Sequence, residues 1–201
     1  MQNTTNHILS QSDKDKISEI LKTGGIVAYP TDTVWGLGAD PTNEIGVKKI
    51  YDLKRRDGNK PLILMASSLE YLKPFIEELS DVEMQMLNKY MPGALTLITR
   101  KSSLTKDFVT SGLDTVGIRV PNHPVFWEVA DCSPCKVLAT TSANLSTQPS
   151  SLKKDDVIKY FGKNVNFVTN DFGYFAENKE STIIKYEKGW EVLRQGVIKI
   201  G

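Results

Sequence analysis

The chain has 201 residues, 40% of them hydrophobic, which suits one domain with its own core. Lys and Arg total 25 against 24 for Asp and Glu, so no overall positive field draws nucleic acid or an anionic membrane to the protein, and any phosphate site must be local. No apolar run is long enough to span a bilayer, and the N-terminus shows no basic-then-apolar leader, so the expectation is a soluble, cytoplasmic chain without membrane contact.

Ser12 and Asp15 resemble a capping box, and Ile17, Ile20 and Leu21 follow at helical spacing until Gly24-Gly25 end the helix. Strand IVAY comes next. The segment PTDTVWGLGADP holds two Pro, two Gly and two Asp in twelve residues and reads as a loop at the strand's end. Val47, Ile50 and Tyr51 carry a second helix to LKRR, and PLILM has the continuous apolar character of a buried strand. Leu69, Leu72, Phe75, Ile76 and Leu79 mark a third helix, which Pro74 should bend or divide.

Ser80 and Glu83 open a fourth helix as a capping box, closed by Pro92-Gly93. ALTLITR, TVGIRV and KVLATT are strands, with NHPVFWEVA a helix between the last two. A helix through Val157, Ile158 and Phe161, a strand NVNFV and a hairpin STIIKY-EKG-WEVLR complete the chain. Interleaved helices and strands define an α/β class with a mixed sheet, and neither a repeat nor a linker divides residues 1–201 into more than a single domain.

Familiar nucleotide signatures are missing: there is no G-x-x-x-x-G-K-[ST], and Gly36-Leu37-Gly38 lacks the last glycine of a dinucleotide fingerprint. Cys132 and Cys135 form one CSPC. A redox pair would begin a helix and a zinc site needs more ligands than His7 and His123 offer, so the expectation is two reduced thiols near a turn and no metal site. Lys54, Arg55, Arg56 and Lys60 gather where a helix ends, either as a solvated basic turn or as a polyphosphate clamp. Arg119, in an apolar strand, needs an anionic partner: an internal carboxylate, or the carboxylate of a ligand gripped in bidentate fashion. Thr140, Thr141, Ser142 and Asn144 follow an apolar strand as turn residues or as uncharged donors around phosphate or carboxylate oxygens.

Together the strings GGIVAYPTDTVWGLGADP, LKRRDGNKPLILM, TVGIRVPNHP, TTSANLSTQPS, STIIKY and LRQG resemble the YrdC-like family, in order and spacing, from Leu21 to Gly196. The resemblance implies a twisted mixed sheet with flanking helices and a large concave groove. It also implies synthesis of threonylcarbamoyl-AMP and pyrophosphate from L-threonine, bicarbonate and ATP with Mg²⁺, for tRNA modification. The product would pass to a threonylcarbamoyl transferase partner, with tRNA a possible further partner. By the same resemblance, Thr33, Arg119, Thr140 and Ser181 hold L-threonine. Lys54 and Arg56 are the K-x-R pair assigned to catalysis, and Arg56, Lys60, Thr115, Ser142, Asn144, Ser150 and Arg194 meet ATP. Trp35 stands where Tyr or Phe is usual, Asp57 where Pro is common, and Met65 where some longer relatives have His. The chain ends soon after LRQG, so the expectation is a short form without the additional C-terminal domain of longer relatives. Competing readings are a non-catalytic RNA-binding module, which the +1 charge disfavours, and a carbamoyl-transfer part of hydrogenase maturation, whose extra domains do not occur here.

Overall fold

The computed structural model describes residues 8–54, 60–145, 150–174 and 179–200. Helix α1 (Gln11–Lys22) begins at Ser10, whose hydroxyl accepts a hydrogen bond from Asp13 N and donates to the Asp13 carboxylate at 2.8 Å. The cap is thus Ser10 with Asp13, two residues before the expected Ser12 and Asp15. Asp15 instead accepts from the Gln11 side chain within the helix. Strand β1 (Val27–Tyr29) pairs antiparallel with β2 (Gly36–Ala39). GLGA is therefore a strand, against the expectation of loop throughout PTDTVWGLGADP. Its glycines make room for a neighbour: a Cβ on Gly38 would lie 2.4 Å from the Tyr29 hydroxyl, and one on Gly36 2.9 Å from the Tyr29 ring.

Helix α2 (Glu44–Lys54) leads towards β3 (Ile63–Ala66). The expected third helix is α3 (Leu69–Leu72) followed by a 3-10 turn (Lys73–Phe75). Pro74 divides it, and Ile76 leaves helical geometry to bridge Lys101, so Leu79 lies outside. Helix α4 (Asp81–Tyr90) has the reciprocal Ser80–Glu83 capping box. Strand β4 (Leu95–Arg100), the short α5 (Asp107–Thr110), β5 (Thr115–Arg119), α6 (Pro124–Asp131), β6 (Val137–Ser142), α7 (Lys154–Phe161), β7 (Phe167–Val168) and the hairpin β8 (Thr182–Tyr186) and β9 (Trp190–Arg194) follow.

Among the described residues the strands form one sheet of order β7-β1-β2-β6-β3-β5-β4-β8-β9. Pairs β1–β7, β3–β5 and β4–β8 are parallel and the others antiparallel. Strand alternation sorts the side chains by face. Leu37, Leu64, Leu97, Ile118, Ala139 and Ile184 belong to a core cluster with Val47 and Ile50 of α2, Leu72 of α3 and Leu87 of α4. The opposite face is covered at one end only, where α1 and α6 bring Ile17, Leu21, Phe126 and Val129 onto Val27, Tyr29, Met65 and Leu138. Among the described residues the remainder of that face is open.

Candidate functional site

The open face forms a cavity of about 320 Å³, at the small end of the range for small-molecule sites. Ile63, Ile98 and Ile183 line it. Between the first two, Gly117 is required: a Cβ there would come 2.6 Å from Ile63 Cγ2 and 3.1 Å from Ile98 Cδ1.

The turn after β1 forms one wall. The Thr31 hydroxyl donates to Val34 O at 2.6 Å and accepts from Thr33 N and Val34 N, so a threonine side chain closes the turn that presents Thr33. The buried Arg119 guanidinium is built into that wall. Its Nε donates to Gly93 O at 2.9 Å, Nη1 to Thr33 Oγ1 at 2.9 Å, and Nη2 to Asp32 Oδ1 at 2.5 Å. The anionic partner that the sequence demands is thus present within the chain, as Asp32. Because Asp32 does not line the cavity while Arg119 does, the guanidinium brings cationic character to the groove and leaves its counter-charge behind the wall.

Thr140 lines the groove next to this wall, its hydroxyl 2.7 Å from that of Tyr29. Tyr29 is wholly buried, and burial pushes its phenol above the ordinary value despite the bond to Thr140. Nothing in the sequence alone marks Tyr29 for the site except that an aromatic residue precedes a strand with two glycines, which it faces across the β1–β2 pair. From β6 the chain turns through Ser142, Ala143 and Asn144. Lys54 holds this turn from behind: its buried ammonium donates to Ser142 O at 2.7 Å, Asn144 Oδ1 at 2.9 Å and Thr141 Oγ1 at 3.2 Å. Ser142 Oγ also donates to Asn144 Oδ1 at 2.7 Å. Lys54 and Asn144 do not line the cavity; they shape the turn that does.

Across the sheet, the Ser181 hydroxyl lies 2.9 Å from Thr96 Oγ1 and accepts from Arg194 Nη2 at 3.1 Å. Arg194 is ion-paired with Glu180, whose other carboxylate oxygen accepts from Ser150 Oγ at 2.9 Å. Glu180, absent from the residues singled out by sequence, lines the groove. Gly196 of LRQG lets the chain pass the strand start: a Cβ there would fall 2.2 Å from Glu180 O and 2.4 Å from Thr182 N. Lys60, exposed, lines the groove before β3. Since β3 and β5 run parallel with Met65 opposite Arg119, Lys60 lies towards the starts of both strands, away from the Arg119 end.

Thr33, Lys60, Arg119, Thr140, Ser142, Ser181 and Arg194 therefore converge on one cavity. Thr115 shares their sheet face but borders a neighbouring cavity with Arg100 and Lys185, and Ile98 lines both. Ser150 reaches the groove through Glu180, and Arg56 and Asp57 lie outside the described residues. Cys132 caps the C-terminus of α6 and Cys135 sits in the following turn, both as free thiols. Burial pushes Cys132 up to about 11 and raises Cys135 as well. Among the described residues no group of three or more His, Cys, Asp or Glu is placed to hold a metal ion, and no helix is long and apolar enough to cross a membrane.

A mixed sheet with helices packed on it, and a groove combining an apolar floor with hydroxyls, one carboxylate and three cationic side chains, define an α/β protein with a pocket of small-molecule size. The chain belongs to the Sua5/YciO/YrdC family, described as telomere recombination, whose profile matches residues 19–196. It is 33% identical over 188 residues to the threonylcarbamoyl-AMP synthase of Vibrio vulnificus, covering 92% of this chain and 99% of that one. It is 36% identical over 179 residues to the Klebsiella pneumoniae threonylcarbamoyl-AMP synthase, covering 88% and 92%. The crystal structure of Pyrococcus abyssi Sua5 complexed with L-threonine superposes with a TM-score of 0.87 at 30% identity, over 94% of this chain and 55% of that one. Escherichia coli YciO shares the fold, with a TM-score of 0.84 at 21% identity over 95% of this chain and 92% of that one.

Proposed function

We propose that this chain is a threonylcarbamoyl-AMP synthase, forming L-threonylcarbamoyladenylate and pyrophosphate from L-threonine, bicarbonate and ATP for tRNA modification. The observation that carries the reading is the polarity of the groove. A planar guanidinium that donates to the Thr33 hydroxyl at the groove wall suits an amino-acid carboxylate, while Lys60, towards the opposite ends of β3 and β5, suits a polyphosphate. The relative bound to L-threonine supports the same use of the fold.

In this reading Arg119 holds the threonine carboxylate, with Thr33, Thr140 and Ser181 around the amino acid. The threonine nitrogen bonds to the carbon of bicarbonate with loss of water, giving an N-carboxy group. One oxygen of that carboxylate attacks the α-phosphorus of ATP, the bond to the β-phosphate oxygen breaks, and pyrophosphate leaves with the electron pair. Mg²⁺ would come as part of the ATP substrate and would supply further charge neutralisation at the phosphates. Positioning and charge neutralisation by Arg56, Lys60 and Arg194 are what such a transfer asks of a protein, with no covalent nucleophile. Lys54 acts by fixing the Ser142–Asn144 turn. A transferase partner consumes the adenylate, and the work is cytoplasmic.

The test is pyrophosphate release from ATP by the purified chain. Release should require both threonine and bicarbonate, and Arg56→Ala or Lys60→Ala should slow it on the order of 10²-fold. Release indifferent to threonine would refute the synthase reading and return the groove to a binding module.

A further inference from the structure

Among the described residues, Glu180 is the one carboxylate lining a groove whose other charged lining groups are Lys60, Arg119 and Arg194. An acid in a site suited to anions is unfavourable unless it has a task there, and its contacts indicate one. One oxygen engages Arg194 Nη1 and the other accepts from Ser150 Oγ. Ser150 and Arg194 come from segments far apart in the chain, and Glu180 joins them at the groove. Further bonds of Arg194 hold it in place: Nε and Nη2 donate to Ser181 O at 3.1 and 3.0 Å, and Nη2 to Ser181 Oγ. The guanidinium is thus fixed on one edge by the strand, while on Nη1 it meets a side chain that can rotate away. Both members of the pair are about two-fifths exposed, at 40% and 39%, so the contact lies where a ligand from solvent can compete for it. Arg119 differs, since its carboxylate partner lies behind the wall and its side chain is only 4% exposed.

We propose that Glu180 is a placeholder anion: it occupies Arg194 and Ser150 in the empty groove and is displaced by a phosphate group of the bound nucleotide. It thereby selects ligands that bring negative charge of their own. An uncharged nucleoside gives Arg194 nothing in exchange for Glu180, whereas a phosphate restores the charge pairing and the bond to Ser150. The inference rests on the proposed use of ATP by this groove.

The experiment is calorimetric titration of the full chain with ATP and, separately, with adenosine, using wild type, Glu180→Gln and Glu180→Ala. Removal of the placeholder should tighten ATP binding roughly two- to fivefold, the scale of an exposed ion pair, and leave adenosine binding unchanged. The gain should vanish in an Arg194→Gln background, since a double-mutant cycle isolates the contact from the general field of a removed charge. Weaker or unchanged ATP binding in both Glu180 variants would overturn the proposal. So would an equal gain for adenosine, or a gain that persists without Arg194. A wild type that binds no ATP would defeat the synthase reading itself and this inference with it; ATP binding that ignores Glu180 would defeat the inference alone.

Discussion

Arg119 has a structural task beside the one proposed for it. Its fork spans Gly93 O, Thr33 Oγ1 and the Asp32 carboxylate, joining the turn after β1 to the start of β4. Arg119→Lys keeps a charge but not the planar fork, and leaves buried acceptors unmet, so the ligand-free protein should lose about 1–3 kcal/mol by denaturant unfolding. The synthase reading adds that the KM for threonine should rise while that for ATP changes little, and that wild type should use threoninamide poorly. A stability loss with threonine kinetics unmoved would leave Arg119 a structural residue only. Lys54 poses a similar question. As the donor to Ser142 O and Asn144 Oδ1, its replacement by Met should destabilise the fold by about 1–3 kcal/mol and reduce activity, without rescue by added ATP or threonine. Rescue at high ATP would instead make Lys54 a direct phosphate ligand. The sequence marks Arg119 because a basic side chain in an apolar strand needs an anionic partner, and Lys54 only as one of a basic cluster at a helix end. It could not name Asp32 or the Ser142–Asn144 turn as the partners, since those contacts span 87 to 90 residues.

Elements whose signals are local were legible: the Ser80–Glu83 box of α4, the break at Pro74, and the apolar runs that became β3, β4, β5 and β6. Strand β2 was not, because glycines that normally disrupt regular structure are here imposed by Tyr29 on the adjacent strand. Helix α5, at four residues, is too short for periodicity to register. The β2 case yields a test. Gly38→Ala should drive Tyr29 off Thr140 and cost about 1–3 kcal/mol by overpacking, whereas an alanine at exposed Gly189, which meets nothing within 4 Å, should be nearly silent. Equal unfolding midpoints for the two variants would show that the Tyr29 contact is not what fixes β2. Helix α6 offers a pH test through His123, its N-cap, whose Nδ1 accepts from Phe126 N. Burial lowers the His123 pKa in the folded chain, so the unfolded chain binds its proton more readily and stability should fall as pH drops through about 6.5. His123→Asn, which retains a capping side chain, should flatten that limb of the stability curve.

For the molecule as a whole, the sequence conveyed the mixed α/β class, while the asymmetry of the sheet became visible only once α1 and α6 were seen to cover one end of a face. That burial extends to CSPC, where the raised thiol of Cys132 is largely unionised at pH 8. Alkylation by iodoacetamide should therefore be slow in the native state and fast after unfolding, and Cys132→Ser with Cys135→Ser should retain activity. Loss of both zinc and activity in that double mutant would restore a metal role to the pair. The half-covered face also bears on the calorimetry of binding. Ile63, Ile98 and Ile183 form an apolar floor that no helix among the described residues covers, so a ligand in the groove would cover it. Removing that surface from water makes the heat capacity change of association negative. Binding enthalpy for threonine with ATP should accordingly become more favourable as temperature rises, with a slope steeper than either ligand gives alone if together they close the floor.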